Sequence, residues 1–294
     1  MKKNEKKYIA PNECSGRRWL GVLAVGLLIG YVMMFPLALL SMNLTGSFLG
    51  VNYGLIIEIL GFMPMFVGMA LAIKFVGKTS MKDFILGAGN SLNKKECLNI
   101  LLMCLAGFAL GNLSDPSHIH LRGVNAGDFA GLVLIMLLLT WMQTTWEELV
   151  FRGIILRWFC KNDIGFNKKS ILAAVVTSVL FALAHITNPE VTSLQGAERI
   201  VMVCVYAIPG MAFFLANLYF GNLMPSIIMH WVNNVFLFTL ISGEVSALAA
   251  PTLLVAIGSH SAYGMLAGTL LSNLPLAAYI LFDILKKKKA AAAA

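Results

Sequence analysis

Three short clusters place ionisable or hydrogen-bonding side chains inside long apolar runs. TTWEELVFRG (144–153) carries Glu147, Glu148 and Arg152; LFALAH (180–185) sets Phe181 four residues before His185; MHWVNN (229–234) holds His230, Asn233 and Asn234. A charge at bilayer depth costs at least ~2.5 kcal/mol, so such residues are paired or functional by default. At about 100° per residue, Glu148 and Arg152 stand in line in the favourable acid-before-base order, whereas Glu147 lies about 140° from Arg152 and faces something else. His230 and Asn234 share one helix face, with Asn233 off to the side. A carboxylate with an imidazole can activate water. An imidazole N–H with an amide N–H can hold a developing oxyanion. One pocket between the three clusters would therefore be equipped for hydrolysis.

The elements that must position these groups are membrane helices. The 294-residue chain is 59% hydrophobic and only 12% charged, with a mean hydropathy of +0.80, well outside the range of soluble domains. Hydropathy predicts an all-α polytopic protein of about eight spans, near 19–42, 51–76, 97–112, 128–158, 169–187, 198–219, 224–242 and 252–284. The clusters fall on the fourth, fifth and seventh. Residues 1–18 read as a cytoplasmic segment, 19–285 as one transmembrane domain, and 286–294 as a basic and poly-Ala tail resembling a vector remnant. The charged start followed by a long apolar run reads as an uncleaved first span. No internal repeat of the transporter kind is visible.

The net charge of +8 would suggest nucleic acid in a soluble protein. Its distribution gives another answer. Lys2, Lys3, Lys6, Lys7, Arg17, Arg18, the lysines of 78–95 and of 161–169, and Lys286 to Lys289 all fall on one side, against Arg122 and Arg199 on the other. The positive-inside rule places both termini in the cytoplasm, expected to be that of a bacterial plasma membrane, and nucleic acid is not an expected partner. Cys14, Cys97, Cys104, Cys160 and Cys204 show no CxxC or metal spacing and read as small apolar residues.

The motifs EExxxR (Glu147, Glu148, Arg152, then Gly153), FxxxH (Phe181, His185) and HxxxN (His230, Asn234), in this order on successive spans, resemble the CPBP or Abi family. That family comprises the type II CAAX prenyl endopeptidases and bacterial relatives linked to bacteriocin processing and self-immunity. The resemblance covers roughly 128–242; the first three spans match only in number and hydropathy. It implies an intramembrane endopeptidase in which Glu147 is the catalytic carboxylate, His185 helps it activate water, and His230 and Asn234 hold the oxyanion. Glu148, Arg152 and Phe181 would support them. Glu147, His185 and His230 could alternatively ligate zinc with an open position. With no HExxH motif and with Asn a poor zinc ligand, a metal-free glutamate mechanism without a cofactor is the preferred expectation.

The implied substrate is a peptide or membrane protein presented at the bilayer. In bacteria it would be unprenylated, such as a bacteriocin or pheromone precursor. A non-catalytic partner or immunity protein with the same fold is the alternative; a transporter fits least. One spacing resists a common site. Counted from the cytoplasmic ends, His230 and His185 would differ in depth by roughly 15 Å. The charge-free FGNLMP (220–225) is therefore expected to lie below the membrane surface beside a polar cavity. Trp146 and Trp231 read as packing, His118 and His120 as part of a solvated outward loop, and His260 as interfacial. Glu58 could snorkel, pair or line the cavity.

Overall fold

Apolar segments cross a bilayer as helices because their backbone polar groups must be satisfied internally. The computed structural model describes residues 16–42, 44–113, 116–160, 164–247, 250–256 and 261–293. Cys14, Lys161, His260 and the lysines of the first ten residues lie outside them. The chain begins with α1 (Gly16–Ser41), a hairpin of β1 (Ser47–Phe48) and β2 (Val51–Asn52), α2 (Tyr53–Leu60), α3 (Phe62–Phe75), α4 (Met81–Leu86) and α5 (Lys94–Leu113). A short turn and β3 (Ile119–Leu121) lead into α6 (Ala126–Glu148), which runs through a π-helical segment (Leu149–Ile155) into α7 (Leu156–Cys160). Then come α8 (Lys168–Ala184), α9 (Pro189–Thr192), α10 (Gly196–Phe220), α11 (Met224–Thr239), β4 (Ile241–Gly243), β5 (Leu254–Ala256) and α12 (Ala262–Ala293).

The protein is an all-α polytopic membrane protein. Among the described residues, six stretches are long and apolar enough to cross a bilayer: 16–41, 53–75, 94–112, 126–160, 196–220 and 262–291. The other two expected spans form helices of 17 and 16 residues, α8 and α11, below the ~20 residues of a typical span. These two short helices carry His185, His230 and Asn234. The last expected span also changes: 254–256 form a strand, and the helix starts only at Ala262. Within the α5–α6 connection, His118 belongs to a short turn and the exposed His120 to β3. β3 pairs antiparallel with β5, and β4 pairs parallel with β5, tying the α5–α6 and α11–α12 connections together at one end of the bundle.

Local signals set the helix ends that matter. Asn125 caps α6 by accepting the Gly127 N–H at 2.7 Å, and Asn167 caps α8 by accepting the Ser170 N–H at 2.8 Å. Gly221 ends α10 in the left-handed conformation at φ 73°, where glycine has no steric penalty. Pro225 follows in the first turn of α11, where its missing N–H costs no bond. The α10–α11 turn is recessed inside the protein. Leu223 is fully buried, and its N–H donates to Ile85 O of α4 at 2.9 Å. Asn217 grips the other side, accepting the Ser226 N–H at 3.0 Å and donating to Ser226 Oγ at 2.8 Å.

This recess removes most of the depth mismatch. Phe181 stands about 20 Å along α8 and His230 about 9 Å along α11, yet their rings are 5.6 Å apart. The start of α11 is therefore set about 10 Å inward from that of α8. The turn is packed by Phe220 and Leu223 in the core; two cavities, of about 690 and 370 Å³, lie along 70–81 and between α5, α6 and α11.

Candidate active site

The site grows from the junction of α6 with the π-helical segment. Glu148 and Arg152 form the expected pair, Arg152 Nη1 donating to Glu148 Oε1 at 2.9 Å, with both side chains fully buried. Such a pair is tolerated only when its remaining hydrogen-bonding capacity finds partners. Glu148 Oε1 also meets His230 Nδ1 at 2.9 Å. The guanidinium lies 4.4 Å from the centre of the Phe181 ring and 5.4 Å from that of Phe213, in cation–π contact with both. Gly210 leaves the space for it: a Cβ there would come 2.8 Å from Arg152 Nη2 and 3.1 Å from Ser178 Cβ.

Glu147 points elsewhere, as its angular offset predicts. Its Oε1 accepts from Gln143 Nε2 at 3.4 Å. Its buried Oε2 makes no hydrogen bond to a described residue and lies 3.7 Å from His230 Nε2. His230 thus bridges the two acids, Nδ1 to Glu148 and Nε2 toward Glu147. Against a carboxylate, Nδ1 is the donor, which fixes the ring orientation as carboxylate–imidazole pairs do generally. Asn234, one turn on and buried, has its Oδ1 engaged by Asn233 Nδ2 at 3.1 Å, leaving its amide N–H₂ as the donor end.

His185 caps the C-terminus of α8 with φ −103° and ψ 3°. Its Nδ1 meets Phe181 O at 2.7 Å. A carbonyl only accepts, so Nδ1 carries the proton, and Nε2 is the lone-pair edge of the neutral ring. Phe181 joins the two histidines, its ring centre 4.6 Å from His185 and 5.6 Å from His230. The structure thus brings Glu147, Glu148, Arg152, Phe181 and His230 into direct contact, with Asn234 on the same face of α11. His185 reaches the group across an aromatic ring.

Among the described residues, no group of three or more His, Cys, Asp or Glu side chains is placed to hold a metal ion. Phe181 packs against both imidazoles, its ring centre 4.6 Å from His185 and 5.6 Å from His230, and Glu148 holds His230 Nδ1, leaving Nε2 as the edge toward Glu147. Cys97 and Cys104 are half-buried and Cys160 is buried, but Cys204 is exposed, so the reading as a buried apolar residue does not extend to it. Glu58 is exposed on α2, and Trp146 packs against Phe62.

Several neighbours escape the motif spacing. Gln143 sits one turn before Glu147, where an i,i+4 rule would have found it. Tyr206 of α10 stacks on His185 with ring centres 4.5 Å apart and planes 22° apart. Phe213 flanks His230 at 5.4 Å. A second buried arginine, Arg157, lies about one turn beyond Arg152 and is 2% exposed. It stood in the sequence as a charge inside the fourth apolar run, but no acid at helical spacing marked its partners.

Two comparisons bear on this geometry. Residues 129–236 match the family model of the type II CAAX prenyl endopeptidase Rce1-like proteins, a region that contains all three motifs. The chain is also 24% identical over 186 residues to the uncharacterized protein YyaK of Bacillus subtilis (strain 168). That alignment takes in 61% of this chain and spans 58% of the length of YyaK.

Proposed function

With residues 129–236 forming an Rce1-like region of the CAAX protease type, we propose that the protein is a glutamate-dependent intramembrane endopeptidase that hydrolyses a peptide bond in a membrane-presented peptide. The observation that carries this reading is the position of Glu147 Oε2: buried, without a hydrogen-bond partner among the described residues, and 3.7 Å from His230 Nε2. At that separation one water admitted beside the pair would be within reach of both the carboxylate and the imidazole.

Charge balance supports the same assignment. Arg152 offsets one of the two buried carboxylates, so a single further proton, shared between Glu147 and His230, leaves the four groups neutral. Buried charge is costly unless compensated, so this proton is held at the site and can move between the two groups. In the proposed reaction, Glu147 takes a proton from water as its oxygen attacks the scissile carbonyl. The Nε2–H of protonated His230 and the amide N–H of Asn234 stabilise the oxyanion. The C–N bond breaks as Glu147 returns its proton to the leaving amine. His185 Nε2, an acceptor edge, orients the attacking water. No step uses a metal or other cofactor.

We infer that the substrate is unprenylated, of the bacteriocin- or pheromone-precursor kind. The test is cleavage of a panel of such peptides, beside a prenylated CAAX peptide, by the purified protein in lipid nanodiscs. Wild type should cleave and Glu147→Gln should not, while both remain folded. A fully active Glu147→Gln variant would remove Glu147 as the catalyst. Adding a chelator should leave the rate unchanged; inhibition reversed by zinc would overturn the metal-free mechanism.

A further inference from the structure

We infer that Tyr206, anchored by Glu190 and Asn188, is a positioning residue that clamps the His185 imidazole so that its Nε2 edge faces the site; this inference rests on the endopeptidase reading for its catalytic meaning. It starts from the segment HITNPE (185–190). α8 stops at His185, and the Asn188 N–H donates to His185 O at 3.0 Å, closing a tight turn. Asn188 has the extended conformation required before Pro189 (φ −60°, ψ 143°), and Pro189 begins α9. Val191, fully buried in a cluster with Met202 and Ala262, fastens α9 to the bundle. Glu190 is thereby brought back toward α10.

There the Tyr206 hydroxyl donates to Glu190 Oε1. Asn188 Nδ2 donates to the Tyr206 oxygen at 3.0 Å and lies 3.3 Å from Glu190 Oε1. The phenol ring is consequently held at its far end while its face stacks on His185. Phe181 contacts the imidazole at 4.6 Å and 47°, and the Phe181 carbonyl takes the Nδ1 proton. Two rings and one hydrogen bond therefore fix the position, tilt and tautomer of His185, leaving Nε2 as its working edge. His185 is only half-buried and sits at a helix end, where backbone geometry alone would allow the ring to turn. Neither EExxxR, FxxxH nor HxxxN contains Tyr206, Asn188 or Glu190.

Two readouts test the clamp. The first needs no hydrolysis: carbethoxylation of each histidine by diethyl pyrocarbonate in the full-length protein, followed by mass spectrometry. Relative to wild type, His185 should be labelled about tenfold faster in Tyr206→Leu and about threefold faster in Tyr206→Phe and Glu190→Ala, with the rate at His120 unchanged. Glu190→Gln should stay near wild type, because its amide oxygen still accepts the hydroxyl. The second readout is peptide hydrolysis. Tyr206→Leu should lower kcat by about 10²-fold with KM held within about twofold, and should cost nothing further in a His185→Ala background. Unchanged labelling of His185 in all three disruptive variants would overturn the clamp, as would an equal kcat loss from Tyr206→Leu when His185 is absent. If the wild type cleaves no peptide, labelling still decides the clamp, and the endopeptidase reading alone falls.

Discussion

Two arginines, five residues apart on one helical rod, meet the same physical problem and solve it differently. Arg152 is fully buried against a carboxylate, Glu148, which also holds His230. Arg157 is 2% exposed and is held by backbone carbonyls, donating to Gly153 O at 3.1 Å and Phe84 O at 2.8 Å. Its guanidinium carbon lies 3.9 Å from the centre of the Phe84 ring and 5.7 Å from that of Trp19. The first arginine organises groups that can exchange protons; the second fastens α7 to α4 and α1. Burial of a charge alone does not identify a site. The chemistry of its partners does.

The comparison is best broken at its largest expected effect. Glu147→Gln should lower hydrolysis by ~10³-fold or more with the fold intact, whereas Arg157→Met should leave kcat per folded molecule unchanged. Activity normalised to the folded fraction, measured by size-exclusion chromatography, distinguishes them. Loss of chemistry in well-folded Arg157→Met would erase the distinction.

Stability should separate the two arginines next. Arg152→Leu strands the Glu148 carboxylate and should cost about 3–5 kcal/mol, read from thermal unfolding in detergent. Adding Glu148→Leu should recover part of that loss, since the uncompensated charge is gone. Arg157→Met strips donors from the Gly153 and Phe84 carbonyls and should cost about 1.5–3 kcal/mol. An equal or larger penalty at Arg157 would reverse the ranking. The smallest effect is expected for Gly210→Ala, about 1 kcal/mol of overpacking, with a kcat decrease because the new methyl group pushes on the Arg152 guanidinium. A more stable, fully active Gly210→Ala would show that this close approach carries no weight.

Much of the site was legible because its signals are local. Glu148 with Arg152, Phe181 with His185, and His230 with Asn234 are each four residues apart, and helical geometry groups each pair without reference to the rest of the chain. Arg157 was not legible in this way. Its carbonyl partner Phe84 lies 73 residues earlier, and every residue type presents a carbonyl. The stack of Tyr206 on His185 likewise depends on how α10 leans on the end of α8, which no spacing encodes.

The sequence by itself determined the membrane class, the helical character of the spans and the split between Glu148, paired with Arg152, and Glu147, left over. These follow from apolar length and from the 3.6-residue turn, both properties of contiguous residues. Only the tertiary structure decided how short α8 and α11 are, how far the α10–α11 turn is recessed, and that His230 bridges both glutamates across 82 residues of chain. Depth in a bundle is set by contacts between distant segments, here the Leu223 N–H on Ile85 O and the Asn217 grip on Ser226, and hydropathy along one segment carries no record of them.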